Sequence, residues 1–157
     1  MKTRIYNEGQ LIKERLAEIS DYIYNNPELG NEEYKAVEAL TTFLKEHNFQ
    51  VECPIADMDT AFKATFDSGK PGMTIGYLCE YDALPKIGHG CGHNMIGVMS
   101  AGAGVALSKV LHEIGGKVIV YGTPAEETNG GKVILAEAGV FDELDAAMIV
   151  HPDGETR

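Results

Sequence analysis

Apolar residues recur at helical spacing over residues 8–25, where Leu11, Ile12, Leu16, Ile19, Tyr22 and Ile23 form one stripe. Asn26-Pro27 ends that helix, because proline disfavours helical dihedrals at the residue before it. Asn31 is placed to cap a second helix, with Glu32 and Glu33 against its positive end. Ala36, Val37, Leu40, Phe43 and Leu44 supply its apolar face. Two strand-like runs follow, residues 49–54 and 61–67, and Ser68-Gly69-Lys70-Pro71-Gly72 is a connection. Residues 73–79, MTIGYLC, are continuously apolar, which predicts a strand buried on both faces. That strand delivers Glu80, Tyr81 and Asp82 at its carboxyl end, where open α/β sheets place their chemistry.

The spacing predicts a long helix over residues 94–114, with Gly97, Ala101, Gly104 and Ser108 on one face. Glycine inside a helix costs about 1 kcal/mol relative to alanine, so these positions imply close packing on a sheet. A buried strand over residues 118–121 leads into Pro124-Ala125-Glu126-Glu127. Residues 129–139 are helical in pattern, with Gly139 as the stop. A last short strand, residues 146–150, ends directly at His151. This order predicts an α/β domain spanning residues 1–157, with a mostly parallel central sheet flanked by helices.

Composition narrows the function classes. Thirteen basic residues against 24 acidic ones give a net charge of −11, which argues against nucleic acid or an anionic membrane surface as partner. The apolar stretch at residues 96–107 is too short to span a bilayer and is punctuated by Ser100, Gly102 and Gly104. Three scattered cysteines and an amino terminus without an apolar core predict a reducing, cytoplasmic setting with free thiols. Cys53 and Cys79 read as small core residues.

Cys91 is different. In GHGCGHN, residues 88–94, it stands two residues from His93 with a glycine on either side. A Cys-x-His pair in an extended turn can aim sulfur and imidazole at one ion, and glycines let the backbone approach it closely. Asp82, Glu126–Glu127 and His151 follow three predicted strands whose ends would lie about 5 Å apart per strand in a parallel sheet. Thiolate and imidazole suit zinc, and carboxylates also accept manganese. Adjacent glutamates allow a division of labour, one binding the ion and the other accepting a proton. A cysteine nucleophile is a weaker alternative, because Cys-x-His spacing does not place His93 as base for its own neighbour and no oxyanion hole is marked. No GxGxxG stands between a strand and a helix, so a dinucleotide site is excluded.

Five pieces of sequence resemble the M20 family of metallopeptidases and amidohydrolases, in its cysteine-ligand branch of aminoacylase-like, auxin-conjugate and p-aminobenzoyl-glutamate hydrolases. They are NNPELGNEE (25–33), LCEYDALP (78–85), GHGCGHN (88–94), TPAEETNGG (123–131) and the HPD at 151–153. The resemblance implies two divalent ions, Zn²⁺ or Mn²⁺. Cys91 would bridge them, with His93, Glu127 and His151 as further ligands. Glu126 would be the general base, and Asp82 would orient a ligand. Glu80 stands where many members of the wider family carry a ligand histidine, and His93 would substitute for it. The implied reaction is hydrolysis of a small amide: an N-acyl amino acid, a p-aminobenzoyl-glutamate-like conjugate or a dipeptide. Family members are more than twice as long. The chain is therefore expected to be the amino-terminal part of the catalytic domain, without the smaller lid and dimerisation domain of a homodimeric parent. On that expectation it is inactive alone, and the competing expectation is a non-catalytic metal-binding or interaction fragment.

Overall fold

The computed structural model describes residues 1–152. Helix α1 spans Lys2–Asn25 and α2 Tyr34–Glu46; strands β1 and β2 follow at Gln50–Glu52 and Phe62–Asp67. Strand β3 spans Thr74–Cys79, helix α3 His93–Ile114 and strand β4 Lys117–Gly122. Helix α4 (Gly131–Glu137) and strand β5 (Ala146–Met148) complete the order. The five strands lie in the order β1-β2-β4-β3-β5. β5, β3 and β4 are mutually parallel, as the pattern predicts, and β2 runs antiparallel to both β4 and β1. The sheet is thus mixed, with its parallel part carrying the strand ends of interest.

Helix α3 lies across β3 and β4, and its small residues set the distance. A Cβ on Gly104 would stand 2.5 Å from a Val120 methyl, and one on Gly97 3.0 Å from the Glu80 carbonyl oxygen. Helix α1 packs on α3 and α2 instead of on the sheet, and a Cβ on Gly102 would meet Leu16 at 2.5 Å. By length and composition α3 could cross a membrane, but 67% of its apolar window is buried inside the domain, as expected of a core helix. The main core joins Leu40, Phe43 and Leu44 of α2 to Phe62 and Ala64 of β2, Val118 and Val120 of β4, and Val105 of α3. On the opposite face Phe141 meets the Tyr121 ring edge-on at 5.1 Å, and a smaller cluster gathers around Met58, Ala61 and Leu135.

Several local expectations are corrected. The strand buried on both faces is β4, whereas most of β3 is half-buried and Met73 is exposed. β4 has strand neighbours on both sides and cover above and below. Cys79 is buried but Cys53 is exposed. Asn31 does not cap α2: it takes a left-handed conformation (φ 69°) and its amide donates to Asn129. The free N–H groups of Lys35 and Ala36 are instead met by Glu28, at 2.8 and 3.0 Å. A carboxylate at the positive end of a helix is favoured electrostatically as well as by hydrogen bonding. The Glu28 carbonyl in turn accepts the N–H of Ala83 at 2.8 Å, tying the start of α2 to the loop beyond β3.

Glu28→Ala is expected to lower unfolding free energy by about 1 kcal/mol, the usual worth of a lost cap. A urea midpoint unchanged from the parent chain would show that solvent serves those N–H groups equally well.

Candidate metal centre

Three parallel strands bring three polar segments to one edge of the sheet. β3 leads into Glu80 and Asp82, β4 into Glu126 and Glu127, and β5 into His151. The β4 exit is pinned to β3, since both the N–H and the hydroxyl of Thr123 donate to the Cys79 carbonyl, at 2.8 and 3.0 Å. The loop after β3 then turns back through Gly92, whose φ of 78° suits glycine, and α3 begins at His93. A Cβ on Gly92 would lie 2.7 Å from Pro152, so the glycine also admits the segment that carries His151.

His93 sits at the centre and is almost fully buried. Its Nδ1 lies 3.0 Å from the Asp82 carbonyl and 3.0 Å from Asp82 Oδ1. Both are acceptors, so Nδ1 carries the proton and, in the neutral ring, Nε2 carries the lone pair. The second Asp82 oxygen accepts the N–H of Glu127 at 3.0 Å. Burial raises the Asp82 pKa, but the His93 and Glu127 hydrogen bonds outweigh it and the net shift is downward. For His93 burial works downward, and Asp82 with the nearby glutamates turns the net shift upward.

His93 Nε2 is buried without a hydrogen-bond partner among the described residues. Around it stand Glu80 Oε2 at 3.4 Å, Glu127 Oε1 at 3.9 Å and Glu126 Oε2 at 4.0 Å. A lone pair facing three carboxylates is a repulsive arrangement unless a proton or a cation lies between them. Two groups of donors have ligand atoms within 4.8 Å of one another: Cys91, His93 and Glu127, and Glu80, His93 and His151. An ion with bonds of about 2.0–2.3 Å spans such a spacing after small side-chain rotations. The donor set, one thiol with imidazoles and carboxylates, fits zinc-like or manganese-like ions. The His93 and His151 rings are 5.9 Å apart and edge-on. His151 is exposed and has its Nδ1 2.8 Å from the Pro152 carbonyl, which leaves Nε2 as the donor toward an ion.

All six residues singled out in the sequence meet at this edge, and Asp153 of the HPD stretch lies outside the described residues. Glu126 has the freer side chain of the glutamate pair, 39% exposed against 27% for Glu127. Cys91 is partly exposed; its interaction with Glu127, then burial, then the surrounding carboxylates push its thiol up to about 11. Without a cation it is therefore a poor nucleophile, which counts against a cysteine hydrolase.

Sequence reasoning placed Glu80 at this strand end but gave it no role, and it missed Lys132 altogether. Glu80 is buried beside His93, and its other oxygen is ion-paired with Lys132 of α4. Burial lowers the Lys132 pKa. Glu80 and Asp82 are two residues apart in an extended segment, a spacing that can aim both side chains one way. Lys132 has no such signal, because it reaches the site only through the placement of α4.

No family model matches the chain. It is 41% identical to mouse Xaa-Arg dipeptidase over 90% of its own length and 36% of the relative's. It is 36% identical to a p-aminobenzoyl-glutamate hydrolase polypeptide from Escherichia coli, over 90% of the chain and 33% of the relative. The chain thus spans about a third of the length of these curated relatives. Among solved structures, a putative aminohydrolase from methicillin-resistant Staphylococcus aureus superposes with a TM-score of 0.82 at 28% identity, over 94% of the chain and 41% of its own. A dinuclear metal-binding M20 peptidase from Bacillus subtilis shares the fold, with a TM-score of 0.78 at 24% identity over 88% of the chain and 42% of its own. The Cys91–His93 and Glu126–Glu127 segments thus meet at one sheet edge in a chain whose sequence is similar to a dipeptidase and a p-aminobenzoyl-glutamate hydrolase and whose fold is that of an M20 peptidase.

Proposed function

We propose that residues 1–157 are the amino-terminal part of the catalytic, metal-binding domain of an amidohydrolase. A protein carrying this chain would hydrolyse the amide bond of an N-acyl amino acid, a p-aminobenzoyl-glutamate-like conjugate or a dipeptide. The observation that carries the proposal is the buried, unpartnered Nε2 of His93 facing the carboxylates of Glu80, Glu126 and Glu127. The relatives support the substrate class, being named a dipeptidase, a p-aminobenzoyl-glutamate hydrolase and an amino-acid-conjugate hydrolase.

Cys91, His93, Glu127 and His151 are the residues that would hold two divalent ions, zinc or manganese. When bound, the ions supply Lewis acidity toward a substrate carbonyl and bring the pKa of water down to about 7. Asp82 keeps the proton on His93 Nδ1 and so keeps the Nε2 lone pair available. Glu126, the freer of the two glutamates, takes the proton of the attacking water and passes it to the departing amine. Glu80 is paired with Lys132, which compensates its charge beside the ligands. The cytoplasm and a homodimeric assembly complete the proposal.

Three measurements bear on this reading. Titration of the metal-free chain with Zn²⁺ and Mn²⁺ is expected to reach one or two ions, and Cys91→Ala to remove most of that uptake; equal stoichiometry in the variant would sink the site. Asp82→Asn can serve His93 or the Glu127 N–H but not both, so metal affinity should fall about 10–100-fold by the same titration. In a full-length protein containing this chain, Glu126→Gln should keep its metal and lose about 10²–10⁴ in turnover. Normal turnover in that variant would assign the base elsewhere.

A further inference from the structure

One buried carboxylate lies outside the ligand cluster. Glu33, at the amino end of α2, has no exposed surface, and both of its oxygens are engaged. Oε2 accepts the Thr60 hydroxyl at 2.7 Å, and Oε1 accepts the N–H of Ala125 at 2.8 Å. The Thr60 carbonyl accepts the hydroxyl of Tyr81 at 2.5 Å, and Tyr81 is the residue between Glu80 and Asp82. A buried relay therefore joins the segment after β3 to the segment after β4 without touching a candidate ligand.

The Ala125 end of that relay is unusual. Ala125 is fully buried and has φ +58°, a left-handed conformation that a residue with a Cβ adopts only when its surroundings impose it. It stands immediately before Glu126 and Glu127. Its carbonyl accepts the N–H of Gly130 at 2.9 Å, and a Cβ on Gly30 would fall 2.9 Å from its Cα. A change of sign in φ at this position would send the two glutamates away from His93. Burying a carboxylate is unfavourable unless its oxygens are hydrogen-bonded, and here the acceptor is spent on the one strained peptide of the turn.

We propose that Glu33 is a positioning residue: by clamping the Ala125 peptide it sets the direction in which Glu126 and Glu127 leave β4. It touches neither substrate nor ion, and its functional weight rests on the reading of Glu127 as a ligand and Glu126 as the base.

The test uses this chain with Glu33→Ala and Glu33→Gln, read in two ways. The first is amide hydrogen exchange of the metal-free proteins. In Glu33→Ala the amides of residues 125–130 should exchange at least tenfold faster while those of α3 stay protected. The second is titration with Co²⁺, whose visible d–d bands report ligand geometry and whose thiolate charge-transfer band reports Cys91. Glu33→Ala should bind about 10–100-fold more weakly with altered d–d bands. Glu33→Gln keeps an amide oxygen for Ala125 and an amino group for the Thr60 oxygen, and should restore both readouts. Circular dichroism establishes that each variant is folded. If Glu33→Ala does not fold, Glu33→Asp, one methylene too short to hold both partners, takes its place with the same expectations. A folded variant with unchanged exchange at residues 125–130, or with unchanged Co²⁺ affinity and spectrum, overturns the proposal. A parent chain that takes up no Co²⁺, while the variant still frees those amides, sinks the ligand reading and leaves Glu33 as the clamp of the turn.

Discussion

The site depends on how the two oxygens of Asp82 are used. One accepts the proton of His93 Nδ1, and the other accepts the backbone N–H of Glu127. A single buried carboxylate thereby settles which nitrogen of the central imidazole keeps its lone pair and anchors the segment beyond β4 to the segment beyond β3. Neither effect works without the other. An imidazole in the right tautomer has no function if the glutamates are elsewhere, and correctly placed glutamates would face an N–H if the tautomer were reversed. Asp82 itself stays ionised despite its burial because both partners are donors.

Around that tie the structure gathers like charges that the main chain alone does not neutralise. Glu80, Asp82, Glu126 and Glu127 stand together in a chain that already carries a net charge of −11. Lys132 compensates Glu80. The remaining negative charge would attract a divalent cation, and such a cation would oppose the effect of Glu127 and the other carboxylates, which push the Cys91 thiol up.

Much of this was legible in the sequence, for reasons that differ by element. The stripe of α2 and the small-residue face of α3 are local patterns, and the structure keeps them; the α1 stripe is kept at Ile12, Leu16, Ile19 and Ile23, whereas Leu11 and Tyr22 are exposed. The six candidate site residues could be named because they flank strand ends and glycine turns, where chemistry accumulates in α/β sheets. The direction of β2 was not legible, since hydrophobic pattern encodes burial and not strand polarity. Glu28 supplants Asn31 at the start of α2 because the cap arrives from a preceding turn instead of the adjoining residue. Glu33 meets Ala125 across 92 positions of sequence, and Lys132 meets Glu80 across 52, separations over which spacing carries no information. Residue type alone predicts Cys53 in the core, but at the exposed end of a short edge strand residue type does not decide.

His93 is the first residue of α3, and α3 is held against β3 and β4 by glycines that leave no room for adjustment. Core and binding centre therefore share one mechanical part, and they should gain and lose order in a single cooperative step. Occupancy then acts as a thermodynamic load on the folding equilibrium: a ligand at a hundred times its dissociation constant shifts that balance by about 2.7 kcal/mol. For a chain of this size such a shift moves the melting temperature by more than about 5 °C, on the order of 2–4 °C per kcal/mol. Were the centre to hold an ion, as proposed, chelation would weaken the whole fold as well as empty the centre.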